Sequence, residues 1–265
     1  DQSGNGNDWT PVNFGGSNVI PKATGALPIL NTVSGGNVAT VGVRTDSNYS
    51  DLVLALPLVG IATDVSNQIN SGSTTKTITV TNAVGVSTQS NFYGGSYYFD
   101  GTGDYLSVAD SDDFAFGTGD FTIEMWIKIT DDTSTNSLYD SRPDGSNGAQ
   151  VALFYSSSGN AIFFAHGGTV RITGTTDVGV DHSWHHVVLA RQSGSTKLFV
   201  NGNQEGSTYS DSTDYLNPSD RPFIGASSGS THLDSGTFFE GYLQDVRVYK
   251  GAAKYTENFI PASTN

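Results

Sequence analysis

From Asp51 onward, apolar stretches of strand length succeed one another at close spacing, each closed by a cluster of Gly, Asn, Asp, Ser or Thr. That pattern is the signature of a sandwich or barrel of short strands, because turn residues recur before any helical period can establish itself. Leu52 to Leu58 is a nearly continuous apolar run, which suits a strand buried on both faces. Further strands are expected at Lys76 to Thr81, Ser96 to Asp100, Tyr105 to Val108, Phe121 to Ile129, Val151 to Tyr155, Ala161 to Ala165 and Val170 to Thr173. Trp184 to Gln192, Thr196 to Val200, Pro222 to Gly225 and Glu240 to Tyr249 complete the set. The longest readable strand also sets its own register. Phe121, Ile123, Met125, Ile127 and Ile129 share one side, and Thr122, Glu124, Trp126 and Lys128 the other. A slip of one residue would turn Glu124 and Lys128 toward the core.

Composition agrees with this reading. Glycine is abundant at 32 residues and only 14% of the chain is charged. Of the 26 acidic residues, only four are Glu; the rest are Asp, which favours turns over helices by bonding nearby backbone amides. Gly101-Thr-Gly-Asp104 and Gly117-Thr-Gly-Asp120 each precede a strand, a reuse of one turn solution, and Asn201-Gly202 is a strong hairpin signal. The net charge of -14 argues against nucleic acid, whose phosphates need a basic surface. The chain has no cysteine, so it offers neither disulfide nor thiolate metal site. No apolar run is long enough to insert in a membrane. Met125 is the only methionine, so a processed product or a segment of something longer is expected.

Residues 1–50 differ from the remainder of the chain. They are dense in Gly, Asn, Ser and Thr, Pro11, Pro21 and Pro28 interrupt them, and their apolar residues are too scattered to offset the cost of ordering. They read as an extended arm that orders against its own domain or a neighbouring subunit. The expected division is arm 1–50, sandwich 51–250 and tail 251–265.

Four segments in order resemble the laminin-G-like family within the concanavalin A-like superfamily. Tyr97-Tyr-Phe-Asp-Gly-Thr-Gly-Asp-Tyr-Leu-Ser-Val108 is similar to its opening hairpin, and Phe121-Thr-Ile-Glu-Met-Trp126 to its FTIE.W strand. Trp184-His-His-Val-Val-Leu189 with Lys197-Leu-Phe-Val-Asn-Gly202 is similar to its WHHVA...LYVNG pair. Gly241-Tyr-Leu-Gln-Asp-Val-Arg-Val-Tyr249 is similar to its closing strand, with Gln244 where the family commonly has an acid. The resemblance implies an all-β fold, a two-sheet antiparallel jelly-roll β-sandwich, with glycan or protein ligands on a concave face or edge loop, often near structural calcium. Ser3 to Pro11 and Gly251 to Pro261 further resemble segments of marine bacteriophage structural proteins. That resemblance implies a virion or extracellular protein acting as a homo-oligomer or among other virion or filament subunits.

Two groups of side chains are candidate sites. Asp100, Asp104 and Asp245 occupy family-matched positions where carboxylates could gather round calcium, which takes six to eight oxygens; the plain alternative has the first two capping turns and Asp245 paired with Arg247. Tyr139, Tyr209 and Tyr215 sit in turn-rich contexts and are candidates for exposed platforms on which a cell-surface sugar would stack. The leading expectation is a non-catalytic virion or extracellular structural protein used in adhesion, with a stand-alone carbohydrate-binding module as alternative. A glycoside hydrolase is the third reading. It needs paired carboxylates, which the glucanase branch places as E-x-D-x-x-E on one strand, whereas Glu124 has no such companion in sequence. His185 and His186, near Asp181 and Ser183, suggest a triad or zinc site, but neighbours on a strand face opposite ways, so a structural role is expected.

Overall fold

The computed structural model describes residues 46–261 apart from 93, 143–149, 160, 182, 217–220 and 228–236. The expected arm and the opening phage-like motif therefore lie outside the described residues, except for 46–50. Among the described residues, fifteen strands form two antiparallel sheets. The first sheet runs in the order β13 (Asn203–Ser210), β12 (Ser195–Val200), β11 (His185–Gln192), β6 (Phe121–Ile129), β15 (Glu240–Lys250), β4 (Ser96–Asp100) and β3 (Val84–Val86). β1 (Leu52–Leu56) pairs with the second half of β15, beside the edge that β4 uses in the first half. The second sheet is β10 (Thr169–Thr173), β9 (Ala161–His166), β8 (Ala152–Ser156), β7 (Asn136–Asp140), β14 (Phe223–Ile224), β5 (Tyr105–Val108) and β2 (Ile78–Thr81). The sandwich expected from the sequence is thus the fold observed. A single turn of helix, α1 (Ser66–Ile69), comes after β1, and no described helix is long and apolar enough to cross a membrane.

The core lies between the sheets. From the first sheet, β6 contributes Phe121, Ile123, Met125, Ile127 and Ile129, and β11 and β12 contribute Val187, Leu189, Leu198 and Val200. Leu106, Ile224, Leu138, Tyr139, Leu153, Ile162 and Phe164 face them from the second. Each fully buried side chain of this size contributes about 1.5–3 kcal/mol. The register of β6 is the one its alternation specifies.

The outer face of the first sheet is covered as well. Ile69 of α1 packs on Leu52, Ala55 and Tyr249. Phe92 sits edge-on to Trp126, with ring centroids 5.2 Å apart, and Trp184 completes that cluster. Tyr255 and Phe259, from the segment after β15, lie on Val188, Ala190 and Phe199. Residues 251–261 form a strap without regular secondary structure, fastened across β6, β11 and β12 to the β12–β13 turn. That turn is the Asn-Gly hairpin read from the sequence, with φ of 50° at Asn201 and 81° at Gly202. Glycine is doubly required there. A Cβ on Gly202 would come within 1.9 Å of the Phe259 carbonyl oxygen, and the Phe259 amide donates to the Gly202 carbonyl.

Candidate binding site

The strap closes over a group of charges that strand geometry brings to one place. Glu124, Val188 and Phe199 form a row across β6, β11 and β12 on the outer face, since paired residues share a face. Thr122, two residues before Glu124, anchors the strap twice: its hydroxyl donates to the Ala252 carbonyl and accepts from the Lys254 amide, both at 2.9 Å. That places Lys254 Nζ 2.6 Å from Glu124 Oε1 and the Tyr255 hydroxyl 2.8 Å from Oε2. His186 Nε2 lies 3.2 Å from the same Oε2, and the imidazole stacks on Trp126 at 4.9 Å. Lys254 also reaches Asp46 Oδ2 at 2.9 Å and the Tyr249 hydroxyl at 2.9 Å, and Tyr249 bonds Asp46 in turn. Burial alone would raise the Glu124 carboxyl, but Lys254, His186 and Arg247 outweigh it and hold the group well below its ordinary 4.5. Glu124 is 4% exposed, ionised and bonded on both oxygens.

The glycosidase reading required Glu124 to face a groove beside a second carboxylate. Among the described residues, its acidic neighbours are Asp46 and Asp245, and each is bound to a cation, Lys254 and Arg247 respectively. The arrangement closes the sheet and presents no carboxylate pair to solvent. The two histidines face opposite ways, His186 with Trp126 on the outer face and His185 with Ile127 on the other. His185 Nε2 meets Asp181 at 3.0 Å and its Nδ1 meets the Asn201 side chain at 2.9 Å, while Ser183 engages Asp181 through its backbone amide.

The three aspartates are not brought together. Asp104 accepts from the Asp100 amide at 3.0 Å, and Asp100 accepts from the Thr102 amide at 2.8 Å, so these two shape the β4–β5 turn. Asp245 sits in a bulge of β15 with φ of 54°, and its carboxylate takes the Arg247 guanidinium at 2.9 Å. The plain alternative describes this geometry. Among the described residues, no three His, Asp or Glu side chains gather as metal ligands.

The tyrosines correct the expectation of exposed platforms. Tyr139 is fully buried, because a bulge in β7 turns both Leu138 and Tyr139 into the core. Tyr215 is buried too, its hydroxyl 2.8 Å from Asp211 Oδ2 and its ring beneath Arg191. Tyr209 is half-buried against the core, bonded to His166 Nε2 at 2.8 Å with Arg171 over its ring. Turn-rich sequence around an aromatic reports a nearby turn, and these side chains use it to fold inward.

A concave feature does exist elsewhere. Where the strap crosses β11 and β12, it leaves a groove of about 270 Å³ beside the β11–β12 hairpin. Ala190 and Tyr255 supply its apolar surface; Gln192, Ser193, Ser195, Lys197, Thr208 and Thr256 supply its polar groups. Lys197 Nζ bonds the Thr256 carbonyl at 2.6 Å, which ties the strap wall to the sheet floor. No candidate from the sequence lies here. Hydroxyls on an exposed hairpin look like ordinary solvated positions until the strap, some 60 residues away in sequence, gives them a second wall.

The family profile described as the concanavalin A-like lectin/glucanases superfamily matches residues 100–257, more than half of the chain. The chain belongs to this superfamily. Solved structures share the fold: the botulinum neurotoxin serotype D/C binding domain superposes with a TM-score of 0.57 at 14% identity, covering 78% of this chain and 51% of that one. A structure described as a receptor binding domain gives 0.58 at 14%, covering 79% and 50%. The binding domain of Paraclostridial mosquitocidal protein 1 gives 0.56 at 13%, covering 78% and 51%. The chain spans about half the length of these structures, and at such identities the likeness concerns the fold. No curated protein matches the sequence significantly.

One departure from the laminin-G-like motif has a structural cause. Gln244 Oε1 accepts from the amides of Asn91 and Phe92 at 3.1 and 2.8 Å. Its Nε2 donates to the carbonyls of Phe92, at 2.6 Å, and Gly95. An amide accepts on one arm and donates on the other, as this loop requires, whereas an ionised carboxylate only accepts and would leave the Phe92 and Gly95 carbonyls without a donor.

Proposed function

We propose that this superfamily member is a non-catalytic recognition module of a virion or extracellular structural protein, serving adhesion to cell-surface glycans or receptors. The observation that carries the non-catalytic part is Glu124. It stands on the strand where glucanases of the superfamily place their carboxylates, yet it is sealed under the strap by Lys254, Tyr255 and His186. A carboxylate held ionised by a buried ammonium is a poor general acid, and one with both oxygens bonded is a poor nucleophile. The binding part is supported by fold neighbours described as binding or receptor binding domains. The virion part is supported by the resemblance of Gly251 to Pro261 to phage structural segments.

The test is a glycan array and whole-cell binding assay on the purified chain, with calcium and with chelator, alongside a hydrolysis screen on polysaccharides. Saturable binding without sugar release is expected. Hydrolysis abolished by Glu124→Gln would overturn the reading, and uniform absence of binding would remove the adhesion part. Light scattering tests assembly: a defined oligomer is expected, and a strict monomer would remove that part.

A further inference from the structure

We infer that the open corner of the first sheet, where β4 meets the start of β15, docks an arginine-bearing peptide segment of a partner protein. The covers on that sheet's outer face, from α1, from Phe92 with Trp184 and from the strap, stop short of this corner. Here Tyr98 and Tyr242 stand directly opposite each other on β4 and β15, and one pleat away Asp100 and Glu240 do the same. Phe99, between Tyr98 and Asp100, points into the core, so alternation puts all four of these side chains on the outer face. Val84 on β3 extends the tyrosine row and is 50% exposed; both tyrosines are half-exposed, and Asp100 is exposed.

The charge of this corner is unanswered. Among the described residues, neither carboxylate has a cationic partner: Asp100 accepts from the Thr102 amide at 2.8 Å, and the Glu240 carboxylate accepts no hydrogen bond. Like charges opposed across two strands destabilise a sheet. Burial, with Asp131 and Asp100 close by, raises the Glu240 carboxyl above its ordinary 4.5, and burial with Glu240 raises the Tyr98 phenol. A cation would relieve both. Lys128 on β6 lies beyond Tyr242 in the tyrosine row, but its ammonium is held by Gln89 Oε1 at 2.8 Å. Arginine fits the pattern best. Its flat guanidinium stacks on a tyrosine face and donates as a fork, so one group can lie on the ring pair, with centroids 5.0 Å apart, and reach both carboxylates. Opposed strand residues stand about 4.5–5.5 Å apart at Cβ, a span that such a fork bridges. Val84 offers apolar surface to the methylene stem. A divalent ion is less well served, because among the described residues no third His, Asp or Glu gathers with this pair. The net charge of -14 draws a basic segment in at long range. The corner lies on different strands from the groove beside the strap, so its outcome leaves the glycan reading untouched.

The experiment is an amide NMR titration of the full chain with the capped peptide Gly-Gly-Arg-Gly-Gly. Citrulline or lysine replaces arginine in two control peptides, and calcium chloride alone is a third control. Saturable shifts are expected at 84, 98, 100, 240 and 242 with the arginine peptide at millimolar concentration, weaker with lysine and absent with citrulline. Glu240→Gln weakens binding about three- to fivefold, as loss of an exposed ion pair does. Tyr242→Leu weakens it about two- to fivefold, as loss of one exposed ring beneath a cation does. Glu240→Gln also raises the thermal midpoint, since it removes one of two opposed like charges. A lowered midpoint would show that the carboxylate supports the fold, and would overturn the inference. An equal response to citrulline overturns the role of charge, and an equal response to lysine overturns the preference for arginine. Shifts scattered over other acidic positions, or unchanged binding by both variants, overturn the site. Calcium moving these amides where the arginine peptide does not overturns the occupant, and no shift with the arginine peptide overturns the inference outright.

Discussion

The two faces of β6 are both buried, but by different chemistry. On one, Phe121, Ile123, Met125, Ile127 and Ile129 meet hydrocarbon from the second sheet. On the other, Thr122, Glu124 and Trp126 lie under Ala252, Lys254, Tyr255 and Phe92, joined by directed hydrogen bonds and ring contacts. The inner face is non-directional: many rearrangements of similar volume would satisfy it. The outer face is directional, since Thr122, Lys254 and Tyr255 each donate to a particular acceptor, and losing one leaves another buried without its partner. A polar strand face therefore need not be a wet one.

Breaking the inner face should cost most. Phe121→Ala leaves a cavity beside Phe116 and Tyr215, and urea denaturation should show a loss of about 3–5 kcal/mol at every pH where the protein folds. Breaking the outer face through Glu124→Gln should cost about 3 kcal/mol, because Lys254 stays buried with half its counter-charge gone. Here the sign with pH distinguishes the two faces. The Glu124 carboxyl in the folded protein lies well below its ordinary 4.5, so its stabilisation is complete above that value and fades as pH falls toward the folded pKa. The gap between wild type and Glu124→Gln should thus close in acid, whereas the Phe121→Ala gap should not.

Coupling sharpens the comparison further. Lys254→Met combined with Glu124→Gln should cost less than the sum of the single changes by at least about 1 kcal/mol in a double-mutant cycle. A sum that is strictly additive would mean the two groups do not act as a pair. Tyr255→Phe removes a hydrogen bond to a charged acceptor and should cost about 1.5–3 kcal/mol, at the lower end if Lys254 compensates. Thermal melts of the two proteins would show it.

The inner face is legible in the sequence because its period is two and its residues are large. Strands β4, β5 and β6 fall where alternation and turn residues place them, and Leu52 to Leu56 is buried throughout, as its apolar run implies. β7 is not legible, for a physical reason: the bulge at Leu138 puts Leu138 and Tyr139 on one side and spoils the alternation. β3 is too short, at three residues, to carry a period, and β13 is an edge strand of Gln, Glu, Gly, Ser and Thr that buries little. The strap leaves no periodic trace. Lys254 and Tyr255 act through Glu124, 130 and 131 residues away, and no local pattern records a partner at that distance. For the same reason Tyr139, Tyr209 and Tyr215 stand out by their neighbours in sequence, while the groove walls at Thr208 and Thr256 do not.

The strap also determines how the domain would answer mechanical load. A pull applied at Pro261 meets the Phe259–Gly202 bond first, then the Asn258–Gln204 and Lys197–Thr256 bonds, and only afterwards Lys254 and the anchors on Thr122. These contacts lie in series, so they would yield one after another at low force, like tape peeled from a surface. The ladder between β15 and β6 would feel the load last. Residues 251–261 would then act as a short shock absorber, giving up length before the sandwich gives up its shape.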